Sequence, residues 1–278
     1  MISRTCRVGL RWTVGNVSER GFEALRLSIW GAWRIFGPEA AYAVCINSLP
    51  LAVARRQTGR LPEAVVWHPC DSRIPPFLRA HLDGDLAEGV AWKFAPLRLF
   101  PDRFEIALDN DCILWAMPEA IGRWLSGSQD GACVLAEDVV PAFGQFAPLC
   151  GSAPRNTGIR CLPPGFDLEG ALRDVLAGEP LLLVSELDEQ GLEVAALSRA
   201  APMLVVRLDE VAICSPNPPH LQRLGTCGAH FVGLNVTRAR PFYDQTALRR
   251  IAEYWEHWKN HVYGAVDLLP EPSAGFPA

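Results

Sequence analysis

Short apolar runs bounded by turn residues recur at residues 7–14, 41–46, 64–67 and 104–108, with helix-compatible stretches between several of them. Strands alternating with helices predict crossover units, and crossovers demand a mostly parallel central sheet flanked by helices. The strongest helical signal covers residues 19–36, where Phe22, Leu25, Ile29, Trp33 and Phe36 form one apolar stripe that stops at Gly37-Pro38. Residues 118–125 read as a helix opened by Pro118, and 168–176, 191–199 and 249–261 as further helices. Residues 181–184 and 203–208 are apolar runs. A short strand is expected at 158–162 within a loop-rich middle, and a helix perturbed by Pro96 at 90–100. The predicted class is α/β, as a single domain over residues 1–268 with a disordered tail at 269–278.

With 278 residues, 49% hydrophobic and 21% charged, the chain has material for a sizeable core. Its formal net charge of −5, with both signs interspersed, offers no basic face for nucleic acid or an anionic membrane. An anionic ligand would have to be held locally, by a metal or a few placed cations. The nine cysteines include no Cys-x-x-Cys pair, and several lie in apolar runs such as Val44-Cys45-Ile46, which fits buried reduced thiols. No apolar stretch approaches the roughly 18 residues of a membrane span, and the first residues lack the apolar segment of a signal peptide. The expected setting is cytoplasmic, with no integral membrane association and no nucleic-acid partner.

The apolar run at 104–108 ends in Asp109-Asn110-Asp111 and resumes at Cys112-Ile113-Leu114. A helix follows, which sets this polar interruption at the carboxyl edge of a parallel sheet, where α/β proteins bind ligands. If the backbone stays extended, Asp109 and Asp111 project to the same side. Two carboxylates there repel unless a cation lies between them, and hard divalent ions such as Mg2+ or Mn2+ favour such oxygen ligands. Asp-Asn-Asp is also ordinary turn chemistry, and the tripeptide alone does not choose between the two.

Other segments fall in an ordered series around it. Trp92-Lys93-Phe94-Ala95-Pro96-Leu97-Arg98-Leu99-Phe100-Pro101 precedes the acidic strand, and Asn156-Thr157-Gly158-Ile159 follows it. Glu186-Leu187-Asp188-Glu189-Gln190-Gly191-Leu192 comes next, and Gly228-Ala229-His230-Phe231-Val232-Gly233-Leu234-Asn235 comes last. In this order the chain resembles the metal-dependent glycosyltransferases of the GT-A fold, in particular retaining enzymes of the glycogenin and bacterial lipopolysaccharide galactosyltransferase kind. The resemblance implies one Rossmann-like domain that moves a sugar from a nucleotide-diphosphate donor, expected to be a UDP-sugar, to a saccharide, lipid or protein acceptor. It also implies that His230 completes a metal site with Asp109 and Asp111, with Mn2+ or Mg2+ as cofactor. Asn156 and Gly158 would line the sugar pocket, Asp188, Glu189 and Gln190 would lie beside sugar and acceptor, and Gly233 would close the His-x-x-Gly motif. The first strand ends in Thr13-Val14-Gly15-Asn16 where the family has an acidic nucleotide-binding turn, so Asn16 stands in as the nucleotide contact. Arg238 and Arg240 follow the histidine block where the family has a diphosphate-binding lysine.

The chemistry follows from the bond that breaks. Negative charge builds on a departing diphosphate, and a metal bridging its phosphates stabilises that charge. Lys93 is a second candidate cation for donor and phosphates, whereas Arg98 reads as a surface cation with a snorkelling stem. Asn156 and Asp188 can hydrogen-bond sugar hydroxyls, or cap a turn or helix. Glu186, Asp188 and Glu189 are all candidates for activating the acceptor, with Asp188 and Glu189 carrying the expected catalytic role. Two other functions stay open: a non-catalytic nucleotide-sugar-binding homologue and a nucleotidyltransferase. Glu253, His257 and His261 recur at i, i+4, i+8, which is zinc-capable in principle, but a solvated face with Trp255 and Trp258 turned inward is the expected reading.

Overall fold

In the computed structural model, which describes residues 7–70, 74–82, 91–127, 131–178, 182–238 and 243–270, the leading apolar runs are strands. They are β1 (Val8–Val14), β2 (Ala41–Ile46), β3 (Val65–Pro69) and β4 (Phe104–Leu108), followed by β5 (Cys112–Leu114), β6 (Cys133–Glu137), β7 (Arg155–Leu162), β8 (Met203–Val206), β9 (Val211–Cys214) and β10 (Gly228–Phe231). The helices are α1 (Glu19–Phe36), α2 (Leu51–Thr58), α3 (Pro76–Arg79), α4 (Glu119–Leu125), α5 (Ala147–Cys150), α6 (Leu168–Leu176), α7 (Glu186–Ala200) and α8 (Gln245–Val266).

A seven-stranded sheet has the order β3-β2-β1-β4-β7-β6-β8, in which β7 runs antiparallel to both neighbours and the other pairings are parallel. From β1 the chain winds outward to β2 and β3, then returns to place β4 on the other side of β1. The carboxyl ends of β1 and β4 therefore flank a topological switch point, the crevice where such sheets bind ligands. A three-stranded sheet, β5-β10-β9, is joined to this edge through the short link from β4 to β5.

Side-chain alternation assigns the faces. Leu10, Trp12 and Val14 of β1 bury against Phe22, Leu25 and Ile29 of α1, so the predicted stripe is the helix's core face. Ser18 caps α1 by accepting from the Gly21 N–H at 3.0 Å, and Gly37, at φ +67°, ends it by donating to the Trp33 carbonyl at 2.9 Å. The opposite sheet face is covered by α6 and α7, with Leu135, Leu162, Leu172 and Leu192 in one apolar cluster. A third cluster joins Ile251, Trp255 and Val262 of α8 to Ile113, Ala229 and Phe231 of the small sheet. On α8, Glu253, His257 and His261 lie on the exposed face and Trp255 is fully buried, as a solvated outer face requires.

Three elements differ from expectation. The helix expected at 90–100 is a 3-10 turn at Ala91–Phe94, because Arg11 takes the carbonyls of Lys93, Pro96 and Leu97 with its guanidinium and Pro96 cannot donate to a helix. The strand expected at 158–162 starts at Arg155, since the buried polar side chain of Asn156 finds a partner in Asp138, beyond the end of β6. Helix α7 starts at Glu186, ahead of the expected 191, because Asp188 accepts from the Val184 N–H and the Ser185 hydroxyl at 2.9 Å each and so secures the first turn. Apart from Leu269 and Pro270, the expected tail lies outside the described residues. Among the described residues no helix is long and apolar enough to cross a membrane.

Candidate metal and donor site

Past Leu108 the backbone turns. Cys112 donates its N–H to the Asp109 carbonyl at 3.0 Å, while Asp109 donates to the Gly158 carbonyl at 2.9 Å. This turn, in place of the extended backbone expected, is what aims both carboxylates the same way, so an ordinary turn and the paired carboxylates that a metal would need coincide here. Antiparallel pairing of β10 with β5 sets His230 opposite Cys112 and brings its imidazole to the carboxylates. Its Nε2 lies 3.3 Å from Asp111 Oδ1 and 3.6 Å from Asp109 Oδ2. One ligand atom from each of Asp109, Asp111 and His230 falls within 4.8 Å of the others.

Asn110 points elsewhere. Its Nδ2 donates to the Gly21 carbonyl at 3.0 Å and to Asn235 Oδ1 at 2.6 Å, and Asn235 Nδ2 donates to Asp111 Oδ2 at 3.0 Å. Asp111 is thus oriented through one oxygen, while the other, Oδ1, is buried without a well-formed hydrogen bond. A buried carboxylate oxygen left in this state is costly unless a cation meets it. Burial alone would push the His230 imidazole down, but the attraction of Asp111 and then Asp109 outweighs it and raises the group above its ordinary value. Two carboxylate oxygens and one imidazole nitrogen are a donor set that suits Mn2+ or Mg2+.

Lys93, carried by the 3-10 turn, closes one side. Its Nζ is 3.0 Å from both oxygens of Asp109 and 3.4 Å from Glu189 Oε2. Desolvation works against its charge, yet Asp109, Glu189 and Asp111 together raise the ammonium above its usual range. Glu189, on the first turn of α7, is almost fully buried, and burial raises its carboxyl despite Lys93. Its Oε1 has no hydrogen-bond partner.

Because β7 is antiparallel, its first residues lie beside the end of β4. Asn156 Nδ2 donates to Asp138 Oδ2 at 3.1 Å, and Asn156 Oδ1 accepts from the Gly158 N–H at 2.8 Å. Gln190 Nε2 reaches the same Asp138 oxygen at 3.4 Å and the Ala142 carbonyl at 2.9 Å. Asp138 therefore ties Asn156 to Gln190, two residues that are far apart in sequence.

No protein-family model matches this sequence, and no curated protein matches it by sequence. Solved structures do match by shape. The galactosyltransferase LgtC, in complex with donor and acceptor sugar analogues, aligns at TM-score 0.51 and 12% identity over 95% of this chain and 98% of its own. The fold is that of the GT-A glycosyltransferases. Mouse xyloside xylosyltransferase 1 aligns at 0.50 and 14% identity over 76% of this chain and 87% of its own. The bifunctional glycosyltransferase WbbM aligns at 0.53 and 14% identity over 93% of this chain but 51% of its own.

Within this GT-A fold the other sequence-predicted residues stand as follows. Asp188 is fully engaged: Oδ1 accepts from the Gln145 N–H at 2.7 Å, and Oδ2 takes the bonds from Val184 and Ser185. It anchors the loop before α7, and it is its neighbour Glu189 that faces Lys93. Asn16 is exposed past the end of β1, its N–H donating to Ser48 Oγ at 3.0 Å. Gly233 turns the chain after β10 at φ +88°, where a Cβ would meet Tyr243 Cε1 at 2.6 Å. The Arg98 side chain is buried, and its guanidinium donates to the carbonyls of Pro163, Phe166, Phe100 and Arg103, which corrects the expectation of a surface cation. Arg240 lies outside the described residues and Arg238 is exposed.

Sequence reasoning gave no role to Asn235 or Asp138. Both are short polar residues whose partners lie far along the chain, so no local signal marked them. A small cavity beneath Lys93 and Asp109 is lined by Arg11, Thr13, Thr157, Arg160 and Glu193. Here Arg11 pairs with Glu105 at 3.2 Å and Arg160 with Glu193, all four side chains buried. Charged residues inside otherwise apolar runs, such as Arg11 between Leu10 and Trp12, were the available signal.

Proposed function

We propose that the protein is a metal-dependent glycosyltransferase that moves a sugar from a nucleoside-diphosphate donor, a UDP-sugar, to a saccharide, lipid or protein acceptor. The observation that carries this reading is the convergence of Asp109, Asp111 and His230 at the switch point, with Asp111 Oδ1 buried and faced by the His230 imidazole at 3.3 Å. Its setting on the fold of LgtC, which was solved with donor and acceptor sugar analogues, supports it.

Asp109, Asp111 and His230 would hold Mn2+ or Mg2+, which when bound would supply Lewis-acid stabilisation of a departing diphosphate. Lys93 supplies a second positive charge beside the leaving group, and its contacts with Asp109 and Glu189 keep it aimed there. Glu189 is assigned to the reacting sugar: its unpartnered Oε1 accepts a hydroxyl, and its raised carboxyl suits it to take a proton from the acceptor. Asn156 and Gln190 are assigned to sugar hydroxyls, their orientation set by Asp138. Asp188 is assigned to holding the loop before α7. Asn16 at the end of β1 is kept as the nucleotide contact, and Gly233 as the turn that positions the His230 strand.

A thermal-shift panel of nucleotide sugars with and without Mn2+ tests the reading. A donor at about 100 times its Kd should add roughly 2.7 kcal/mol, and only when the metal is present. Asp111→Asn should abolish that dependence while the melting of the free protein stays cooperative. If no nucleotide sugar stabilises the protein with metal present, the reading fails. Binding without any release of the nucleoside diphosphate would assign a non-catalytic role, and pyrophosphate release from a nucleoside triphosphate would assign a nucleotidyltransferase.

A further inference from the structure

Lysine is rare in this chain. Of its 26 basic residues only Lys93 and Lys259 are lysines, and the rest are arginines. Lys259 pairs with Glu256 within α8, whereas Lys93 stands at the candidate metal site. An arginine there would grip a carboxylate through a planar two-point fork, while a lysine presents one compact charge on a flexible stem and exchanges partners readily. A lysine at 93 therefore suits a cation that must let go.

What Lys93 holds is Asp109. Its Nζ lies 3.0 Å from both Oδ1 and Oδ2, so the ammonium engages the whole carboxylate, and Glu189 Oε2 lies 3.4 Å away. Asp109 is also one of the three residues whose ligand atoms converge within 4.8 Å. A dication drawing on this carboxylate would sit beside a full positive charge, and like charges that close repel strongly in a part-buried site. The main chain is pinned, because Arg11 takes the carbonyls of Lys93, Pro96 and Leu97. The Lys93 side chain is 31% exposed, which leaves its stem room to swing the ammonium off Asp109.

We propose, on the reading of Asp109, Asp111 and His230 as metal ligands, that Lys93 is a tethered competitor of the metal, holding Asp109 until a diphosphate offers the ammonium new acceptor oxygens. Without a diphosphate, dication and ammonium contend for one carboxylate and the dication binds weakly. With one, phosphate oxygens accept from Lys93 and Asp109 is released. Metal and diphosphate then tighten each other's binding by the same factor. Glu189, the second anchor of the ammonium, keeps Lys93 at the site throughout.

Calorimetric titration of Mn2+ into the full chain, with and without saturating UDP and corrected for Mn2+ held by free UDP, reads the coupling. Lys93→Met should bind Mn2+ about tenfold tighter than the unmutated protein when UDP is absent, and UDP should then add correspondingly less. Lys259→Met, the same change of charge away from the site, should bind as the unmutated protein does. Unchanged or weaker Mn2+ binding by Lys93→Met would overturn the proposal. No Mn2+ binding by any of these proteins, with or without UDP, would remove the metal site itself and the proposal with it. Should Lys93→Met not fold, the unmutated chain carrying isotope-labelled lysine gives two ammonium signals by nuclear magnetic resonance. Mg2+ with UDP should shift that of Lys93 and leave that of Lys259, and the same Mg2+ alone should leave both. A Lys93 signal that Mg2+ alone moves as far, or that Mg2+ with UDP does not move, would equally overturn the proposal.

Discussion

A Cβ built on Gly158 would lie 2.4 Å from Cε1 and 2.5 Å from Nδ1 of His230. Gly158 belongs to β7 of the large sheet and His230 to β10 of the small one, so the absence of a single side chain lets the imidazole occupy the space between them. Gly158 is not at positive φ, so the constraint is purely steric. Its N–H is also held by Asn156 Oδ1, which leaves the glycine little room to retreat.

Gly158→Ala is therefore expected to displace His230 and weaken Mn2+ binding about 10- to 100-fold, the range for disturbing a metal ligand's support. A Mn2+ titration by calorimetry measures it, with circular dichroism to verify the fold. Unchanged affinity would separate His230 from the metal site.

Asn235 touches Asp111 through its amide nitrogen and Asn110 through its amide oxygen. Asn235→Ala frees the Asp111 carboxylate to rotate and is expected to lower Mn2+ affinity about tenfold or more. The same calorimetric titration reads it, and wild-type affinity in this variant would mean that Asp111 is oriented by other groups.

Asp188 and Glu189 are neighbours on α7 with opposite expected phenotypes. Asp188→Ala removes the acceptor for Gln145, Val184 and Ser185 and should cost about 3 kcal/mol of stability, with metal binding retained. Glu189→Gln should melt close to wild type and bind donor, yet release nucleoside diphosphate about 100-fold more slowly or worse. Thermal melts together with a nucleoside-diphosphate release assay separate them, and the reverse pattern would return the catalytic role to Asp188.

Arg160 and Glu193 form a buried ion pair beneath the site. Glu193→Ala leaves the guanidinium unpaired in the interior and is expected to cost about 3–5 kcal/mol, a Tm lower by roughly 10 °C. Adding Arg160→Met should recover part of the loss, since neither charge then remains. If the double variant melts below Glu193→Ala, the pair is not the source of the destabilisation.

Much of this architecture was legible in the sequence, because its signals are local. The bounds of α1 follow from an apolar stripe, a serine cap and a stopping glycine, and β1 to β4 follow from short apolar runs between turns. Asp109 and Asp111 stood out because acids seldom interrupt apolar sheet. What local pattern did not contain was pairing across the chain. The strand β7 is polar at Asn156 and Thr157 and looked like a loop, since Asp138 and Gln190 satisfy those groups only after folding. Asp188 and Glu189 differ by about 100° around one helix, and only the packing of α7 decides which of them meets Lys93. The sequence by itself determined most of the elements and the residue types of a candidate metal site. Tertiary structure alone decided the turn that aims the carboxylates and the glycine that admits His230. Periodicity is written over a few residues, whereas the partner that satisfies a buried charge is chosen by strand order and register.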